Sequence, residues 1–327
     1  MGITISIMAG VLPMAFYAWV LYYLDRYEKE PLKLLVSVFL WGGIIAAGAA
    51  FVINSITSSG IYFITQSEFA TQLTISTLVA PVVEETLKGA AVLIVFLFFR
   101  SEFDSLLDGL VYAGIAALGF AATENSWYIY QLGFLEYGWE GLLKMTFVRS
   151  VLVGWQHPLY TAFIGLGFAF SRRSKEPFIR WISPLVGWTL AVILHLLHNL
   201  FAGLFQSNAG LAFATIWDWS GYLGLLILIL LLIRREQRWM KEYLAPEHQL
   251  DLLSDEQFQI ACSAWKQGLA FFKARLDGNY LEVKDLYQTC GDLMHKKRQL
   301  ARHGDELGSA LEVQRLRGEL RKLAEQI

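Results

Sequence analysis

The chain has 327 residues, of which 55% are hydrophobic and only 17% charged, with a mean hydropathy of +0.42. Soluble domains carry about 25% charged residues, so this balance excludes an ordinary soluble protein and points to an integral membrane protein. A net charge of −2 discriminates little, and the two cysteines, Cys262 and Cys290, give no sign of a disulfide framework or a cysteine-ligated zinc site.

A span needs about 20 mostly apolar residues. Seven runs meet that length: Ile5–Leu24, Leu34–Ile53, Thr74–Phe99, Leu107–Tyr130, Met145–Phe170, Trp181–Leu204 and Ile216–Ile233. Met1 to Ile5 lack the basic start of a secretory signal peptide, so the first run reads as a retained span. Met1-Gly2 followed by Ser6 formally fits a myristoylation pattern, but it abuts a span and has no basic helper residues. The stretch Ile61–Ile64 is too short to span and reads as a small interfacial or re-entrant element.

Lys and Arg set the expected orientation. Arg26, Lys29 and Lys33 lie in the first loop, Arg100 in the third, and Arg172, Arg173, Lys175 and Arg180 in the fifth. Arg234, Arg235, Arg238 and Lys241 follow the last span, while the alternate loops hold only Lys144, with Arg149 just inside its neighbouring span. The positive-inside rule then puts the N-terminus outside and the C-terminal tail in the cytoplasm. From about Glu236 the composition becomes that of a soluble helical segment. Ser254-x-x-Gln257 is a capping box, followed by Phe258, Ala261, Trp265, Leu269 and Phe272 at helical spacing. Gly278-Asn279 predicts a turn, with further helices over Tyr280–Arg302 and Glu306–Gln326. The expected fold class is all-α: a polytopic bundle of about seven spans in residues 1–235, then a small cytoplasmic helical tail in 236–327. Interleaved acidic residues in the tail argue against nucleic acid as a partner; a solubilising, regulatory or partner-binding role remains.

Ionisable residues at the bilayer centre cost about 2.5–3.5 kcal/mol each and usually persist for function. Glu84 and Glu85 lie side by side in the third run, with Lys88 at i+4 from Glu84. At about 1.5 Å per helical residue, Glu84, Glu124, His157 and His195 each lie roughly 20–25 Å from the inner surface of a ~30 Å slab. Four runs thus bring ionisable groups to one level, toward the outside. The bland reading of Glu84 and Lys88 is an internal ion pair. Adjacent positions point about 100° apart on a helix, so one carboxylate can pair with Lys88 while the other faces a cavity; Pro81 can kink the helix just before them. Asn125 suits a structural hydrogen bond, and Tyr128, one turn on, can hold the Glu124 carboxyl. Ala113, Ala117, Ala121, Gly114 and Gly119 allow close helix approach. Asp108-Gly109 reads as an N-terminal cap. His157 precedes Pro158, where an irregular backbone can line a cavity. His195, His198 and Asn199 share one helical face, whereas His248, His295 and His303 fall in the tail.

Carboxylates with imidazoles suit the activation of water: Glu as general base and then acid, His as a hydrogen-bond donor to an oxyanion. The same residue types can bind zinc as a His/Glu site, although there is no His-Glu-x-x-His motif. A proton-coupled transporter or channel would use such groups as a relay, but the internal repeats common among transporters are not evident. A non-catalytic membrane scaffold would use them to lock helices together.

The ordered set Glu84-Glu85-Thr86-Leu87-Lys88, Asp108-Gly109-Leu110-Val111-Tyr112-Ala113-Gly114, Gly119-Phe120-Ala121-Ala122-Thr123-Glu124-Asn125, His157 and His195-x-x-x-Asn199 resembles the PrsW family of intramembrane proteases, itself similar to the CAAX prenyl endopeptidase and Abi group. The resemblance covers about residues 5–233. It implies a membrane-embedded peptidase of a bacterial-type cell membrane, cutting a single-span membrane protein, such as an anti-sigma-type regulator, near the outer face. By motif match it assigns the catalytic positions to Glu84, Glu85, Glu124, His157 and His195, with Lys88, Asn125, His198 and Asn199 in support. The residues leave open glutamic or zinc-dependent chemistry, and the choice between His195 and His198 rests on Asn199 standing at the matching spacing from His195.

Overall fold

The computed structural model describes residues 1–204, 208–305 and 308–327, and every regular element among them is helical. In chain order the α-helices are α1 (Gly2–Leu24), α2 (Leu32–Leu40), α3 (Ala47–Thr65), α4 (Glu68–Thr74), α5 (Ala80–Phe98), α6 (Leu106–Tyr128) and α7 (Leu135–Thr146). They continue as α8 (Gln156–Arg173), α9 (Pro177–Leu204), α10 (Asn208–Gln249), α11 (Asp255–Ala261), α12 (Ala264–Asp277), α13 (Tyr280–His303) and α14 (Ser309–Ala324). The chain is an all-α polytopic membrane protein. Among the described residues, five helices or helical runs are long and apolar enough to cross a membrane: Gly2–Leu24, Leu32–Thr65, Leu106–Arg173, Pro177–Ala202 and Thr215–Gln249. α5 is not in that set, and it is the helix that carries Glu84, Glu85 and Lys88.

Contacts divide the chain into two compact units. The first comprises Met1–Tyr23 and Glu30–Leu228, the second Leu24–Lys29 and Ile229–Ile327.

α6 is the centre of the first unit. Its residues from Leu106 to Ala122 are all buried, consistent with a sequence apolar on every side. It starts with a capping box in which Ser105 is the N-cap and Asp108 the third helical residue, so Asp108 reaches back rather than capping by itself. α8 and α6 meet through Gly165 and Gly109, where a Cβ on either would collide with the carbonyl of the other. The small residues of α6 therefore fix how closely its neighbours approach. Large apolar side chains such as Phe16, Phe63, Phe98 and Trp181 point outward, as expected where lipid replaces water.

Two expectations from the sequence change. Ile61–Ile64 is no separate element but the last turns of α3. The polar stretch before it does not break the helix, because Ser59 Oγ bonds back to the Ser55 carbonyl at 3.0 Å, so these hydroxyls are satisfied within their own helix. Conversely, Met145–Phe170 is not one continuous helix: a π turn over Phe147–Leu152 leads into a break at residues 153–155, and α8 starts afresh at Gln156.

In the second unit, α11 opens with the Ser254–Gln257 capping box and α12 ends at Gly278, whose φ of +82° is the left-handed conformation that suits glycine. The predicted single stripe from Phe258 to Phe272 is thus split between two helices. The segment Leu24–Lys29 is built into this unit: Tyr27 is buried, its carbonyl lies against Gly291, and Glu28 Oε2 is 2.8 Å from His295 Nδ1. The last helix starts at Ser309; Glu306, where the sequence placed its start, and the His303 side chain lie outside the described residues.

Candidate active site

Three of the four π turns among the described residues adjoin the helices that carry the polar cluster, and such widened turns often mark functional sites. Ile75–Val79 precedes α5, Ile129–Phe134 follows α6, and Phe147–Leu152 precedes α8. Pro81 follows the first of these π turns without a break, since Val79 is itself helical, so its missing N–H leaves a gap inside a continuing helix. One turn later Glu84 and Glu85 diverge.

Glu85 is fully buried and saturated. Its Oε1 lies 2.7 Å from Lys88 Nζ and 3.0 Å from His195 Nδ1, and its Oε2 accepts from Thr161 Oγ1 at 2.8 Å. Lys88 Nζ is also 3.0 Å from His157 Nδ1 and 4.3 Å from the centre of the Phe120 ring. An ammonium can only donate, so His157 Nδ1 accepts and the ring proton sits on Nε2. That Nε2 donates to Glu124 Oε2 at 2.9 Å. Arg149 closes the chain of contacts by pairing with the same Glu124 oxygen and donating from Nε to Asn125 Oδ1 at 2.8 Å. Tyr128, expected to hold the Glu124 carboxyl, instead lays its ring under the Arg149 guanidinium at 4.4 Å.

Glu84 is different. Its buried Oε2 has no hydrogen-bond partner among the described residues, and its near polar neighbours are Lys88 Nζ at 3.8 Å and His195 Nε2 at 3.9 Å. His195 donates from Nδ1 to Glu85, which turns its Nε2 lone pair toward Glu84. Two hydrogen-bond acceptors therefore face each other with no donor of the chain between them. Such an arrangement suits a bridging water or a cation. Glu84, His157 and His195 each offer a ligand atom within 4.8 Å of the others, the His/Glu donor set of many catalytic zinc sites. The Glu85–His195 bond is the outer-shell carboxylate that orients a ligating histidine in such sites.

The structure thus brings Glu84, Glu85, Lys88, Glu124, Asn125, His157 and His195 into one cluster. His198 and Asn199 point elsewhere. His198 Nδ1 lies 2.9 Å from Asp218 Oδ2, and Asn199 Nδ2 donates to the Ser76 carbonyl of the first π turn at 2.7 Å. The contacts with Glu85 and Glu84 belong to His195.

Four neighbours were not singled out from the sequence as site residues: Arg149, Thr161, Tyr160 and Asp218. Tyr160 stacks on His195 with ring centres 5.1 Å apart, and its hydroxyl donates to Asp218 Oδ1 at 3.5 Å. Asp218 is buried within the last apolar run, between Trp217 and Trp219. An ionisable residue in that run was the available signal.

Comparison with known proteins identifies the family. The model of the family described as PrsW family intramembrane metalloprotease matches residues 30–235. The Protease PrsW of Geobacillus kaustophilus is 26% identical over 226 residues, covering 68% of this chain and 86% of that protein. That of Oceanobacillus iheyensis is 26% identical over 200 residues, covering 61% and 83%. A Clostridioides difficile Protease PrsW is 34% identical over a shorter 106 residues, 32% of this chain and 42% of that protein. No solved structure matches. With most of its membrane part matched, the chain belongs to the PrsW family and is a membrane-embedded peptidase.

Proposed function

We propose that the protein is an endopeptidase that hydrolyses a peptide bond of a single-span membrane protein near the outer membrane face, with Glu84 as the group that activates water. The observation that carries this reading is the unpartnered Glu84 Oε2 opposite His195 Nε2, 3.9 Å away, in a cluster whose other glutamates are tied down. A water between them donates one hydrogen to each acceptor. Glu84 takes a proton from it as the oxygen attacks the scissile carbonyl, then returns that proton to the leaving amine. Lys88 and Arg149 supply positive charge for the tetrahedral oxyanion. Glu85 holds His195 and Lys88 in place, and Glu124 does the same for His157 and Arg149.

The family's description as metalloproteases implies a metal, and the donor set fits one: Glu84, His157 and His195 would hold a zinc ion. When bound, such an ion polarises water and carbonyl as a Lewis acid. His157 would then have to exchange its Lys88 contact for the ion if it ligates through Nδ1.

The outward placement rests on the charge pattern of the loops and on the depth of the cluster. A single-span protein with an accessible outer juxtamembrane segment, as in anti-sigma-type regulators, is the substrate class. The test is reconstituted wild type against Glu84→Gln on a panel of such proteins, with zinc content read on the same samples. Wild type cuts and the variant does not. Full cleavage by the variant sinks the assignment, and activity that tracks zinc content selects the metal-dependent version.

A further inference from the structure

The helix α12 presents its apolar stripe outward. Trp265, Leu269, Phe272 and Leu276, spaced i, i+4, i+7 and i+11, are 77%, 53%, 63% and 73% exposed. At 100° per residue they span one narrow face. The opposite face is the packed one: Gln267 and Ala274 are buried, and Gln267 Nε2 donates to the Ala261 carbonyl at 2.9 Å. The usual arrangement of a soluble helix, apolar side in and polar side out, is inverted.

The residues flanking the stripe say what covers it. Lys266 and Lys273 border it on one side and Arg275 on the other, all exposed. An apolar face carrying tryptophan between cationic flanks is the pattern of a helix lying in a membrane interface, its long basic side chains reaching to anionic headgroups. A second observation ties this helix to the chain that leaves the first span. Arg26, two residues beyond the end of the first span at Leu24, donates from Nη2 to the Ala264 carbonyl at 2.7 Å. The first turn of α12, which carries Trp265, is thereby held to the segment that directly follows the first span in sequence, a contact within the second unit.

We propose that α12 is an interfacial anchor that lays Trp265, Leu269, Phe272 and Leu276 into the cytoplasmic leaflet and binds anionic lipid through Lys266, Lys273 and Arg275. The C-terminal unit is then a membrane-surface module rather than a free appendage. Its contact responds to the lipid charge of the leaflet, because attraction of basic side chains to that surface adds to apolar burial.

The test uses the full chain in liposomes of phosphatidylcholine, with and without phosphatidylglycerol. Single nitroxide labels go on Leu269→Cys, Phe272→Cys, Leu276→Cys and Lys266→Cys; Cys262 and Cys290 are buried, and the wild type checks that they stay unlabelled. At 269, 272 and 276, collision with oxygen should exceed collision with an aqueous nickel chelate several-fold, and the reverse should hold at 266. Adding phosphatidylglycerol should deepen the three apolar positions, and replacing Lys266, Lys273 and Arg275 by glutamine should remove that response. Free access of the nickel chelate to all three positions overturns the proposal. So does shielding from both reagents regardless of lipid, which means that protein covers the face. Immersion without any response to phosphatidylglycerol overturns the anionic-lipid part.

Discussion

Buried glutamates in the two units show that one carboxylate, Glu84, is handled unlike Glu85 and Glu247. In the second unit Glu247 is fully buried, and Lys297 Nζ lies 2.7 Å from its Oε1. The Arg317 guanidinium also grips both oxygens, with Nη2 at 2.8 Å from Oε1 and Nε at 3.1 Å from Oε2. In the first unit Glu85 is treated in the same manner, by Lys88, His195 and Thr161. Its neighbour Glu84 keeps one oxygen unpartnered under comparable burial. A buried polar atom without a partner costs about 1–3 kcal/mol, so a carboxylate that serves only the fold is expected to look like Glu247. The contrast separates structural glutamates from a working one more sharply than burial does.

That contrast can be broken by substitution. Glu85→Gln should be the most damaging change. It leaves the buried Lys88 ammonium with only the longer 3.8 Å contact to Glu84 in place of its 2.7 Å pair, at a cost of about 3–5 kcal/mol, and it frees His195. Thermal unfolding and cleavage should both fall sharply. Restoration of stability, though not of cleavage, by the double change Glu85→Gln/Lys88→Met would show that the stability loss comes from the stranded ammonium.

Glu247→Gln should cost less, about 1–3 kcal/mol, because Arg317 is partly exposed and water can replace part of the pairing. Its turnover per folded molecule should match wild type. A large loss of turnover at an unchanged unfolding temperature would contradict the structural assignment.

Asp218→Asn tests the layer behind His195. With the support from Asp218 to Tyr160 weakened, kcat should drop about tenfold with KM unchanged, as for outer-shell partners of catalytic histidines. An unchanged kcat removes Asp218 from the account.

The smallest effect concerns the two cysteines of the second unit. Burial pushes the Cys262 thiol up to about 11 and raises Cys290 as well, against an ordinary thiol near 8.5. Both thiols therefore stay neutral through pH 8, and alkylation there should be slow until the protein is unfolded. Stability linked to them is present below the ordinary thiol value and declines as pH rises toward 11. Fast labelling of folded protein at pH 7 would show that this unit opens readily.

Much of this was legible in the sequence, because spans announce themselves by apolar length and charges within them stand out. The convergence of Glu84, Glu124, His157 and His195 followed from depth alone. The polarity of the pair did not: neighbouring glutamates differ only in which partner they meet, and Thr161 and His195 come from other helices. Hydropathy also missed the break at residues 153–155, since Met145–Phe170 reads as one mostly apolar run despite Arg149, Gln156 and His157. Arg149 was visible only as a charge just inside its span, and its pairing with Glu124 was not. The stripe at Trp265, Leu269 and Phe272 showed its period but not its direction, because periodicity marks a face without saying what lies against it.

The most direct measurement reads turnover and unfolding temperature together for wild type and Glu84→Gln, reconstituted in the same lipid with a cleavable single-span substrate. Removing a general base costs about 10²–10⁴-fold in rate, whereas the Glu84 Oε2 loses no hydrogen bond among the described residues and only its longer contact with Lys88 at 3.8 Å. The account predicts that cleavage disappears while the unfolding temperature holds or rises. Retained cleavage, or a loss of cleavage explained by a collapsed unfolding temperature, would contradict it.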